Sequence, residues 1–182
     1  MLQQTQVKTV IPYFNKFVKK IPNLKNLSNC KENKVLKLWE GLGYYRRAKN
    51  LHRTSKILVK KYNSKIPNSF TKLKELPGIG DYTANILLAL IYNKPRIGQD
   101  GNVKRVLFRI FNINNFDSEN LFKTKRNGDL AEALMEFGAL IWKSKDPKCY
   151  ECKIKNKCFY YKAELKIKLK KKTKIKLKNY DI

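Results

Sequence analysis

Apolar positions recur at three- and four-residue spacings along most of the chain, the mark of helices that each bury one face. Val7, Val10, Phe14, Phe17 and Val18 form the first such stripe, and the opening "MLQQTQVKTVIPYF" shows no Ser, Thr, Asp or Asn cap ahead of it, as if the helix were already running at residue 1. In "NKVLKLWEGLGYYRRAKNLHRTSKILVKKY", Val35, Leu36 and Trp39 belong to one helix, Gly41 and Gly43 break it, and Ala48, Leu51, Leu58 and Tyr62 resume the helical spacing. "TKLKELPGIGDYTANILLALIY" repeats the arrangement: Pro77, Gly78 and Gly80 separate a short helix from one expected to bury Ile86, Leu87, Leu90 and Ile91. "GNVKRVLFRIF" and "GDLAEALMEFGALIW" are two more amphipathic segments, the first burying Val103, Val106, Leu107 and Ile110. No strand-like alternation precedes residue 165, so the fold class is all-α.

Composition adds a partner class. A chain of 182 residues makes one domain or two small ones, and 42% apolar residues is an ordinary globular value. No run of about 18 apolar residues exists to span a bilayer, so no membrane partner is expected. Gln3, Gln4 and Gln6 interrupt any signal-peptide core, which makes the expected compartment cytoplasmic. With 41 basic against 14 acidic residues, the net charge of +27 draws the chain to polyanions, nucleic acid first among them. Of those bases 34 are Lys, so coding composition contributes to the excess, and charge by itself does not choose between DNA and RNA.

The sharpest local pattern is "LPGIG". A helix ending at Leu-Pro, a Gly-Ile-Gly turn and a new helix from Asp81 would leave the N–H groups of Gly78 and Gly80 open beside the positive end of a helix dipole, where a phosphate oxygen can approach. A plain helical hairpin whose glycines supply positive φ is the alternative. About 20 residues on stands "QDGNVKRV", where Asp100 precedes a helix and has an ordinary role available as its N-cap.

Taken together, "LPGIG", "DGNVKRV", "MLQQTQV", "LWEGLGYYRRAKNLH" and a terminal Cys-x2-Cys-x5-Cys, in this order over residues 1 to 161, resemble the adenine-specific branch of the helix-hairpin-helix DNA glycosylases, the endonuclease III superfamily. The resemblance implies a six-helix domain over 1–97 with its hairpin at 76–81, and a partial iron–sulfur-type helical subdomain over 98–161. It also implies a monomer that binds double-stranded DNA and hydrolyses the N-glycosidic bond of adenine mispaired with 8-oxoguanine or guanine. Such enzymes flip the adenine out of the duplex, because its glycosidic bond is unreachable inside the stack. Leu2, Gln3 and Gln4 match the segment that wedges into the vacated space, and Tyr44 matches the aromatic that intercalates beside the opposing base. Gly78 and Gly80 match the hairpin. Asp100 matches the catalytic carboxylate, which stabilises positive charge on the sugar in the transition state. Where the strand-cleaving branch carries a nucleophilic Lys just before Thr-Ala, this chain has Tyr82, which cannot form an imine, so a monofunctional glycosylase is expected. Two alternatives stand beside it: an endonuclease III-like oxidised-pyrimidine glycosylase with lyase activity, and a catalytically inactive DNA-binding remnant.

The resemblance also exposes departures. In the family the helix containing "MLQQTQV" starts earlier, with a general-acid Glu two residues before the position of Met1, so Met1 reads as an internal methionine or the sequence as a fragment. Cys149, Cys152 and Cys158 match the last three ligands of a four-cysteine 4Fe–4S loop, but Trp142 stands where the first ligand belongs, and indole does not ligate iron or zinc. An incomplete cluster, zinc with a water, and no metal stay open on sequence alone. His52 and Cys30 lie far off and read as packing or surface residues. The stretch between Phe111 and Leu130 is shorter than in the family by about three helical turns, on the order of 12 residues, so a subdomain helix is expected to be missing. No counterpart of the family's Nudix-like domain is expected within residues 1–182. The Lys-rich segment 162–182 reads as a solvated linker or a sequence-independent DNA contact.

Overall fold

The computed structural model describes residues 1–163, and among them every regular element is helical. These are α1 (Val7–Lys20), α2 (Leu24–Asn29), α3 (Glu32–Trp39), α4 (Arg46–Tyr62), α5 (Phe70–Lys74), α6 (Asp81–Tyr92), α7 (Gly101–Phe111) and α8 (Asn127–Leu140), followed by a 3-10 turn at Lys155–Lys157. The all-α class therefore holds. The Lys-rich segment expected to be linker or DNA contact lies outside the described residues beyond position 163.

The chain divides into two compact units, Met1–Gly80 and a second that begins at Asp81. The break falls before α6, whereas the sequence reading placed it after residue 97, so α6 groups with α7 and α8. No helix among the described residues is long and apolar enough to cross a membrane.

The first unit packs around Val10, Phe17, Val35, Trp39 and Ala48, with Phe17 set edge-on to Trp39 at a centroid distance of 6.3 Å. The opening helix begins later than its pattern suggested. Residues 1–6 precede α1, and Thr5 N–H donates to Leu2 O at 3.3 Å to close a turn. Only Val10 and Phe17 of the expected α1 stripe are buried; Val7, Phe14 and Val18 face solvent. His52 is buried, with Nε2 2.9 Å from the Cys30 carbonyl, which settles it as a packing residue.

In the second unit α8 packs against both α6 and α7. Val103, Val106, Leu107 and Ile110 of α7 are all buried, as their spacing predicted. The buried face of α6 differs from expectation. It presents Ala84, Asn85, Leu88 and Ala89 inward and leaves Leu90 and Ile91 exposed. α8 comes close at this face: a Cβ on Gly128 would stand 3.0 Å from the Ala89 carbonyl. Gly138 meets α7 equally closely, since its Cβ would lie 2.8 Å from Asn102 Cβ. Between α7 and α8, residues 112–126 contain no helix, and Glu119 pairs with Arg96 in an isolated antiparallel bridge closed by a 2.6 Å ion pair.

Candidate nucleic-acid interface and catalytic carboxylate

In the first unit three predicted site segments take shape. Gln4 and Tyr44 both hold left-handed backbones, with φ of 56° and 48°, which L-residues adopt at a cost of about 1 kcal/mol or more. Leu2 and Tyr44 are 58% and 62% exposed, and Gln3 and Gln4 are exposed too. A ring held out on a turn is available for stacking on a base, and a Gln amide offers both a donor and an acceptor to a base edge. The loop that carries Tyr44 depends on glycine: Gly41 and Gly43 have φ of 88° and 75°. Its base is fixed by Trp39, whose Nε1–H donates to Gly43 O at 3.0 Å.

The hairpin turn follows α5. Ile79 N–H donates to Leu76 O at 3.1 Å, which tightens the turn, while no hydrogen bond within the described residues engages the exposed Gly78 and Gly80 amides. The two glycines differ in kind. Gly78 has φ of 80°, and a Cβ there would collide with the Asn50 side chain at 2.8 Å. Gly80 has open space around it, so its lack of a side chain is not required by packing.

In the second unit Asp100 lies within electrostatic reach of Tyr82. Asp100 caps α7, its Oδ1 accepting from Val103 N–H at 2.7 Å, so the ordinary capping role is real. The segment leading to it is pinned by Ile97 N–H on Ser118 O at 2.8 Å and by the Gln99 amide on Phe116 O at 2.9 Å. Gly98 lies flat on α6, where a Cβ would come within 2.7 Å of the Tyr82 ring. Burial, and then the Asp100 charge, push the Tyr82 phenol above its ordinary pKa. Its hydroxyl donates to Met135 Sδ at 3.0 Å. A phenol thus stands at Tyr82, and a phenol forms no imine.

The cysteine loop does not fit the cluster that the resemblance implied. Cys152 and Cys158 are buried, Cys149 partly so, and all are free thiols. Among the described residues no group of three or more His, Cys, Asp or Glu side chains is arranged to hold a metal ion. Cys158 Sγ donates to Arg109 O at 3.3 Å, and burial raises the pKa of the free thiol. Trp142 fills the first-ligand position, 1% exposed, and its Nε1–H is a donor that cannot ligate a cation. Phe137 and Tyr160 pack on Trp142 at centroid distances of 6.1 and 6.3 Å, and the Arg109 guanidinium lies 5.8 Å over its ring. Arg105 Nε donates to Trp142 O at 2.6 Å, while Arg109 donates to the carbonyls of Lys143 at 2.7 Å and Ser144 at 3.0 Å. The loop after α8 is thus held by arginines and aromatics. Sequence reasoning missed both arginines, and Arg47 in the first unit, because a guanidinium aimed at backbone carbonyls leaves no spacing signal.

An all-helical arrangement of the described residues, with a Gly-Ile-Gly turn ahead of α6 and Asp100 capping α7, is that of the helix-hairpin-helix class of proteins. The sequence profile of the HhH-GPD superfamily base excision DNA repair proteins matches residues 1–129, and the chain belongs to that family. It is similar to the adenine DNA glycosylase of Buchnera aphidicola subsp. Baizongia pistaciae, with 45% identity over 171 residues, covering 88% of this chain and 49% of that protein. The human adenine DNA glycosylase is 34% identical over 171 residues, covering 87% of this chain and 31% of that protein. Among solved structures, a thermostable thymine-DNA glycosylase superposes with a TM-score of 0.78 at 25% identity, covering 89% of this chain and 80% of that one. A trapped endonuclease III–DNA covalent intermediate superposes at 0.74 with 21% identity, covering 90% and 81%, a likeness of fold. The chain spans about half the length of the Buchnera relatives it matches.

Proposed function

We propose that this chain binds double-stranded DNA and hydrolyses the N-glycosidic bond of adenine opposite 8-oxoguanine or guanine, as a monofunctional glycosylase. The observation that carries the reading is the pairing of Asp100 with Tyr82: a carboxylate on a rigid helix cap, next to a phenol and not an amine. The adenine DNA glycosylase relatives supply the substrate class.

In this reading the duplex is held through its backbone at the Gly78–Gly80 turn, and the extruded adenosine presents C1′ to Asp100. As the C1′–N9 bond breaks, its electron pair leaves with the adenine and positive charge develops on the sugar. The Asp100 carboxylate stabilises that charge electrostatically, and water completes the hydrolysis by adding hydroxide to C1′ and a proton to the departing base. Leu2, Gln3, Gln4 and Tyr44 occupy the gap beside the opposing base. The test is incubation with an adenine:8-oxoguanine duplex with and without borohydride. Free adenine with no borohydride-trapped adduct is expected, whereas a trapped adduct would mean an amine nucleophile and a lyase.

Two variants separate backbone holding from base reading. Gly80→Val fits sterically within its unit but covers the exposed amides, so it should weaken binding to matched and mismatched duplexes by similar factors in fluorescence anisotropy, since phosphate contacts position without specifying. A loss confined to the mismatch would contradict the backbone role. Tyr44→Ala should instead leave matched-duplex affinity nearly unchanged and reduce the preference for the 8-oxoguanine duplex by about 1 to 3 kcal/mol, the worth of one stacked base. An unchanged preference in the same titrations would remove Tyr44 from the interface.

A further inference from the structure

Arg47, at the second position of α4, ties together two segments that are remote in sequence. One amine of its guanidinium, Nη1, donates to Met1 O at 2.6 Å and also to Gln3 O. The other, Nη2, donates to Gly43 O at 3.2 Å and Leu42 O at 3.5 Å. Its carbon lies 5.5 Å from the buried Trp39 ring and 5.3 Å from the exposed Tyr44 ring. One rigid fork therefore ties the backbone of Met1 and Gln3 to that of Leu42 and Gly43 and lies against the exposed Tyr44 ring. The left-handed backbones at Gln4 and Tyr44 persist only where the surroundings over-determine them, and Arg47 is the side chain whose contacts reach both turns.

We infer that Arg47 is a positioning residue that fixes the Leu2-Gln3-Gln4 turn and Tyr44 as one unit, so that the wedge and the stacking ring meet the mismatch in a set geometry. This rests on the proposed mismatch-binding function for its consequence, but the coupling itself is a property of the free protein. Lysine keeps the charge and loses the planar fork, which makes Arg47→Lys the discriminating substitution.

The experiment has two arms on the full chain. In the first, hydrogen exchange on free Arg47→Lys should speed at residues 2–5 and 42–45 together by about 10-fold or more, with α4 beyond its first turn unchanged. Acceleration at one segment alone, or at neither, overturns the inference. In the second, binding to adenine:8-oxoguanine and matched duplexes is measured for the native chain, Arg47→Lys, Tyr44→Ala and the double variant. Arg47→Lys should lose mismatch preference by about 10-fold, and the double variant should lose no more than Tyr44→Ala alone, because coupled residues are not additive. Additive losses, or an equal fall for both duplexes, would make Arg47 an independent phosphate contact and overturn the inference. A native chain that shows no mismatch preference would instead sink the functional reading, and the exchange arm would then decide the coupling by itself.

Discussion

Asp100→Asn should lower single-turnover adenine release by about 100- to 1000-fold while leaving affinity for the adenine:8-oxoguanine duplex within a few-fold of the original. The range is that measured elsewhere for removing one preorganised electrostatic contact to a transition state. Asparagine caps helices about as well as aspartate, so the 2.7 Å bond from Val103 N–H is expected to survive and α7 to keep its start. What is removed is the charge, and with it the stabilisation of the positive sugar. Asp100→Ala removes the cap as well and should cost about 1 kcal/mol of stability in addition. Thermal unfolding of both variants beside the kinetics therefore separates the two roles that Asp100 performs. A fully active Asp100→Asn protein would reduce Asp100 to a helix cap.

The second large effect is one of stability. Trp142→Ala should destabilise the chain by about 3 to 5 kcal/mol, the usual cost of deleting a buried aromatic. Here the loss also removes the ring on which Arg109, Phe137 and Tyr160 pack. At about 2 to 4 °C per kcal/mol for a chain of this size, the melting temperature should fall by roughly 6 to 20 °C. Since no group of three or more His, Cys, Asp or Glu side chains among the described residues is arranged to hold a metal ion, treating the native chain with a strong chelator is expected to leave its melting temperature unchanged. A marked fall on chelation would mean that the three thiols hold the loop through a metal after all.

How legible the fold was depended on the element. The four expected core residues of α7 are buried because that helix is strongly two-faced, and a clear stripe has only one orientation against a core. On α1 the apolar residues spread wider than the surface that covers them, so spacing located the helix but not the centre of its buried face. On α6 nearly every position is apolar, and periodicity had nothing to choose by. The choice of face fell to the packing of α8, whose Gly128 comes so close that a Cβ there would stand 3.0 Å from the Ala89 carbonyl.

The site divides along the same line. Local chemistry determined glycines where the chain turns and an aspartate at a helix start, and the resemblance added a tyrosine where a related branch has an amine and a tryptophan where the family has a thiol. The tertiary structure decided what those residues do to one another. It set the Tyr82 ring against Gly98 beside the Asp100 charge, closed the start of the chain into a turn where the pattern suggested helix, and turned Arg47, Arg105 and Arg109 onto backbone carbonyls far away in sequence. A carbonyl is present at every residue and carries no letter of its own, so only the fold can say which ones an arginine will find.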